Sequence, residues 1–176
     1  SSNNVPITLS IWYTERSCPT IVFLPGTMSH PLMYENFLSG LCERGFNIIG
    51  VHYLSHGKSP KIKMNYTMED LLYNVYDATT YGMENYGDNI AVMGSSQGGI
   101  LAAMAAGRDT RLKAVFPHNI MLTTLKETMN LTKYPAWTHR FMGLIQWGFR
   151  VGGKLLPNYK VPGDAYLDYN KVFYSE

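Results

Sequence analysis

Ile90-Ala91-Val92-Met93-Gly94-Ser95-Ser96-Gln97-Gly98-Gly99-Ile100-Leu101 is the stretch on which the reading of this chain turns. Its first four residues form a short, wholly apolar run, the mark of a strand buried on both faces. Its end opens a helix, with Ile100, Leu101, Met104 and Ala105 as the apolar stripe and Gly107 closing it. Between the two, the chain must reverse from strand to helix in a very tight turn. Small residues two before and two after Ser96 prevent clashes there. Gly94-Ser95-Ser96-Gln97-Gly98 thus has G-x-S-x-G spacing in the strand–turn–helix context this motif requires. Such a turn lifts the Ser96 Oγ to the C-terminal edge of a sheet, beside a helix N-terminus. The dipole and free N–H groups there favour developing negative charge. Ser95 does not fit the register, since glycine would be needed where Met93 and Gln97 stand. A Gly/Ser-rich turn with no chemistry would look similar. Gly-rich turns after strands also bind phosphate, but these glycines lack G-x-G-x-x-G or G-x-x-x-x-G-K-[ST] spacing.

Upstream, apolar runs alternate with helix-period segments. Val5 to Tyr13 predicts a strand, Arg16 to Thr20 a turn, and Ile21-Val22-Phe23-Leu24 a central strand stopped by Pro25-Gly26. Tyr34, Phe37, Leu38 and Leu41 fall on one face of a helix, with Gly45 at the expected stop. Phe46 to Val51 predicts the next strand and Ser55 to Asn65 a loop. Thr67-Met68-Glu69-Asp70 resembles a capping box, opening a helix through Leu72, Val75, Tyr76 and Thr79 that ends at Gly82 or Gly87. Downstream, Leu112 to Phe116 predicts another strand. This alternation is the signature of an α/β fold with a mostly parallel sheet and flanking helices. After Asn119 the pattern changes: Trp137, Phe141, Leu144, Ile145 and Phe149 predict an aromatic-rich helix, and Gly152 to Gly163 a loop.

Composition excludes several classes of protein. The chain has 176 residues, 45% hydrophobic and 16% charged, a globular balance unlike that of disordered chains. A net charge of +2, without any Lys/Arg run, argues against nucleic acid; Lys58, Lys61 and Lys63 read as a solvated loop. No run approaches the ~18 apolar residues of a membrane span, and no signal peptide opens the chain. Cys18 and Cys42 read as free thiols of a reducing compartment, making the cytoplasm the expected location. No cysteine-and-histidine spacing suggests a zinc site, and no cofactor is expected.

Two further segments carry a family resemblance. Leu24-Pro25-Gly26-Thr27-Met28 leaves a strand as the oxyanion loop does in α/β-hydrolases, and His56-Gly57-Lys58-Ser59 resembles that family's G-H-G-x-S loop. With the turn at Ser96 they occur in the family's order over residues 5 to 119. The likeness is greatest to lysophospholipase, monoglyceride-lipase and serine-aminopeptidase-like members. It implies an α/β-hydrolase fold of eight mostly parallel strands, a Ser–His–acid triad with Ser96 as nucleophile, and a cap. It also implies an oxyanion hole built from the backbone N–H groups of Gln97 and Thr27. Residues 1–120 would be the N-terminal part of the core and 121–176 a cap or lid segment. One departure is that the family's D-x-R-G opening reads His52, Leu54 and Ser55 here.

The triad's other members are not evident. Only His118 and His139 follow Ser96, and neither matches the family's base position. His30, His52 and His56 precede it and read as loop or packing residues. Asp164 and Asp168 match no motif and read as a solvated loop. The expectation is a piece of a longer hydrolase, nearly inactive alone, with a degenerate homologue as the alternative. The apolar last strand would be an exposed edge that self-association or strand exchange could cover. A serine hydrolase of carboxylic esters, acting on a small-molecule or lipid-like acyl substrate, leads among the functions; a noncatalytic binding or scaffold protein and an acyltransferase follow. Phe141, Met142, Leu144, Ile145, Trp147 and Phe149 read equally as a lid for an acyl chain or as ordinary helix packing.

Overall fold

The computed structural model describes residues 5–62, 66–120 and 135–156. The chain divides into two units after Ile120. In the first, five strands pair into one sheet: β1 (Thr8–Trp12), β2 (Thr20–Leu24), β3 (Asn47–His52), β4 (Ile90–Ser95) and β5 (Ala114–His118). Their order is β1-β3-β2-β4-β5, with β1 antiparallel to β3 and every other pairing parallel. The α/β fold expected from the sequence is the fold observed.

Side-chain alternation explains the layering. On β2, Val22 and Leu24 point to the face covered by α2 (Met68–Tyr86) and α3 (Gln97–Ala106), where they meet Leu72, Val75, Leu101 and Ala105. Ile21 and Phe23 point to the opposite face, against Leu38 of α1 (Glu35–Cys42). Both faces of β2 are therefore apolar, as a central parallel strand requires. Each such buried side chain contributes about 1.5–3 kcal/mol.

Local signals set the helix ends. Gly45, at φ +89°, closes α1: its N–H donates to the Cys42 carbonyl at 2.9 Å, while that of Phe46 donates to Leu41 at 3.3 Å. At the start of α2, Thr67 and Asp70 form the reciprocal capping box. That helix runs through Gly82, which packs under Ile49 and Ile90, and ends at Tyr86 before Gly87.

Three expectations need correction. The last strand spans Ala114–His118, two residues later than read. Leu112 packs against the core from the turn after α3, where Arg111 grips Asp109 with two hydrogen bonds of 2.8 and 2.7 Å. An apolar turn residue had thus mimicked the strand's start. Phe37 does not join the buried stripe of α1; it is 51% exposed and lines a cavity. In the second unit, a 3-10 turn (Ala136–Phe141) leads into α4 (Met142–Leu155), so Gly152 and Gly153 are helical rather than loop. Asp164 and Asp168 lie outside the described residues. Cys18 and Cys42 are free and partly exposed.

Candidate active site

β4 ends at Ser95, and α3 begins at Gln97, so Ser96 alone makes the reversal, at φ 55°, ψ −116°. A residue other than glycine rarely adopts that backbone, and holding it costs on the order of 1–3 kcal/mol. The flanking glycines are required by close backbone approach. A Cβ at Gly94 would overlap the Gly98 carbonyl, and one at Gly98 would overlap the carbonyl of Leu24 in β2. The G-x-S-x-G spacing is therefore a packing requirement of this turn. From the far side, the Ser96 N–H donates to the His118 carbonyl at 3.0 Å, tying the turn to the end of β5. The Ser96 side chain makes no capping bond to α3 and is half-buried.

The loop after β2 lies directly against this serine. A Cβ at Gly26 would sit 3.4 Å from Ser96 Cβ and 3.7 Å from Ser29 Oγ. Thr27 follows and is exposed, while Met28 takes φ 60° in a turn closed by Ser29, whose N–H and Oγ both donate to the Gly26 carbonyl. Gln97, first residue of α3, has one of the helix's unpaired backbone donors. Its side-chain Nε2 reaches the Met68 sulfur at 3.4 Å. The structure thus brings Ser96, Gln97 and the Gly26–Thr27 backbone to one end of the sheet.

Two buried residues behind the site carry no motif of their own. The Tyr53 hydroxyl donates to the Pro25 carbonyl at 3.3 Å, and burial pushes its pKa well above the usual value, keeping that donor protonated. His52 holds the loop after β3. Its Nδ1 accepts from the Lys58 N–H at 3.1 Å, so the neutral ring carries its proton on Nε2, which lies 2.9 Å from Ser10 Oγ. Burial first, then the neighbouring His30 and Lys58, lower the His52 pKa to about 4. His30 stacks on His52 with ring centroids 5.8 Å apart. Ser59 Oγ donates to the His52 carbonyl and accepts from Thr8 N–H, so the His56–Ser59 segment anchors β3 to β1. Its role here is structural.

His118 is brought beside Ser96 by its carbonyl, and its side chain is exposed. His139 lies in the 3-10 turn of the second unit. On the α1 face, a cavity of about 580 Å³ is lined by Phe23, Phe37, Met93, Ser95, Phe116 and His118, among others. It reaches Gly94 and Ser95, just before Ser96, without Ser96 itself in the lining. Among the described residues, no three His, Cys, Asp or Glu gather to hold a metal ion.

A family model described as alpha/beta hydrolase fold matches residues 19–149. No curated protein matches the sequence. Among solved structures, the chain is similar to Est1E from Butyrivibrio proteoclasticus, seen with ferulic acid bound, at 22% identity and TM-score 0.58, covering 66% of this chain and 50% of that one. It is similar to the Pyrococcus furiosus esterase Pf2001 at 19% identity and TM-score 0.59, covering 78% and 55%. It also resembles DcsB, solved with a substrate analogue, at 20% identity and TM-score 0.66, covering 91% and 53%. The chain spans about half the length of each.

Proposed function

Because this chain belongs to the α/β-hydrolase family, we propose that it is the nucleophile-bearing part of a serine hydrolase acting on carboxylic esters. The carrying observation is the backbone of Ser96, held at φ 55° between strand and helix with glycine-only contacts on either side. In this reading Ser96 Oγ attacks the acyl carbonyl and the N–H groups of Gln97 and Thr27 receive the oxyanion. The leaving alcohol departs after protonation, and water then releases the acid from the acyl-enzyme. The approach of Gly26 to Ser96 supports the Thr27 assignment, and the position of Gln97 at the start of α3 supports the other.

In this reading neither His118 nor His139 serves as the triad's base, residues 1–120 serve as the N-terminal core, and residues 121–176 belong to a cap. Losing the histidine of such a triad costs on the order of 10⁶ in kcat, so the chain alone turns over esters barely above background. A lipid-like ester, as for lysophospholipase or monoglyceride-lipase relatives, is the preferred substrate class, supported by the apolar cavity beside Ser95.

A fluorophosphonate probe tests this reading on the complete gene product. Intact mass should show one adduct that disappears in Ser96→Ala. An adduct that survives Ser96→Ala, or clear ester turnover by the 176-residue chain alone, would overturn it.

A further inference from the structure

In the second unit, α4 carries Leu144, Trp147, Phe149 and Leu155 in exposed positions, Trp147 at 62%. The preceding turn adds exposed Trp137 and Phe141, whose rings meet edge to face at 6.1 Å. At helical spacing the apolar positions of α4 sweep a broad arc, and Arg150 and Lys154 stand one turn apart on the narrow polar strip beside Trp147. Between Pro135 and Leu156 the sequence contains Arg140, Arg150 and Lys154, all exposed, and no Asp or Glu.

The helix itself is weak. Gly143, Gly148, Gly152 and Gly153 all lie within it, and a Cβ on any of them would meet nothing within 4 Å among the described residues. Glycine lowers helix stability in water, and a helix this short is marginal even when built from strong formers. A surface that receives its apolar arc would stabilise it. Membrane spanning is excluded by length: at ~1.5 Å per residue the helix is about 21 Å long, against a hydrocarbon core of about 30 Å. No helix among the described residues is long and apolar enough to cross a membrane.

We infer that α4 and the turn before it form a docking surface for an anionic phospholipid bilayer, with the helix lying in the plane of the interface. Leu144, Trp147, Phe149 and Leu155 enter the headgroup–acyl boundary, and Arg140, Arg150 and Lys154 meet the lipid phosphates. Charge selects this occupant: a second copy would set the same cationic strip against its own, whereas an acidic lipid surface complements it. The inference is independent of the chemistry proposed for Ser96.

The test uses the whole 176-residue chain carrying Trp12→Phe, which leaves Trp137 and Trp147 as the only tryptophans. It is mixed with vesicles of phosphatidylcholine containing phosphatidylglycerol, and separately with vesicles of phosphatidylcholine alone. Expected are co-sedimentation with the anionic vesicles and a blue shift of tryptophan emission, both weakening with added salt. Arg150→Gln and Lys154→Gln should each cost about fivefold in affinity, and Trp147→Ser should cost more. Far-UV circular dichroism checks that these exposed substitutions leave the fold intact, and the salt series on the unsubstituted helix needs no further variant. Absence of binding, equal binding to both vesicle types, or binding insensitive to salt and to these substitutions would overturn the inference. So would a dimer dispersed by Trp147→Ser that ignores vesicles, since it would make the face a contact between copies.

Discussion

The hydroxyl of fully buried Tyr53 donates to the carbonyl of Pro25 at 3.3 Å, joining the residue after β3 to the loop that lies against Ser96. Tyr53→Phe keeps the ring's packing and removes this bond, leaving a carbonyl without that donor. Urea unfolding should show a loss of about 1–2 kcal/mol. A loss below about 0.5 kcal/mol would mean that the bond holds nothing that packing does not already hold.

Gly98 and Gly148 stand in opposite surroundings, and alanine at each should show it. Gly98→Ala drives a methyl into the Leu24 carbonyl of a central strand, with no flexible neighbour to yield. It should cost about 3 kcal/mol or more, or prevent folding. Gly148→Ala, with nothing within 4 Å, should instead raise the stability of its helix by up to about 1 kcal/mol. Thermal melts of both variants decide this, and similar melting temperatures would contradict the assignment.

Strain at Ser96 has its own signature. Ser96→Gly relieves the φ 55° backbone, whereas Ser96→Ala keeps it, although both delete the hydroxyl. The glycine variant should be more stable than the alanine variant by about 1–2 kcal/mol in chemical denaturation. Equal stabilities would show that the turn is not strained.

His52 predicts the acid side of the stability profile. Its folded-state pKa is lowered to about 4, against an ordinary value of 6.5. Between those two values the unfolded chain binds the proton and the folded chain resists it. The stability that His52 contributes is therefore fully present above pH 6.5 and is lost as pH drops toward 4. Protonation would place a hydrogen on Nδ1, against the Lys58 amide that now donates to it. His52→Asn should be less stable at neutral pH and show a flatter slope between pH 6.5 and 4. An unchanged slope would assign the acid sensitivity to other groups.

Much of the fold was legible because its signals are local. The four-residue apolar run of β2, the Thr67–Asp70 box and Gly45 after α1 each follow from propensity or backbone geometry over a few residues. The misreadings lie where neighbours in space decide. Leu112 is apolar because it covers the core from a turn, not because it is in a strand. Phe37 has the spacing of a core residue yet faces a cavity, since no described side chain of the first unit fills the space over Phe116. Gly152 and Gly153 signal a loop by composition, but α4 runs through them to Leu155.

The sequence by itself determined the α/β alternation and the position of Ser96, because small residues at fixed spacing around a strand-to-helix reversal leave one serine in register. Only the tertiary structure decided that Gly26 lies against that serine, that Tyr53 and His52 brace the loops behind it, and that the His118 carbonyl holds its amide. The physical reason is distance along the chain. A turn is specified by steric limits among neighbouring residues, whereas a contact between residues 26 and 96 exists only after β2 and β4 have paired in register.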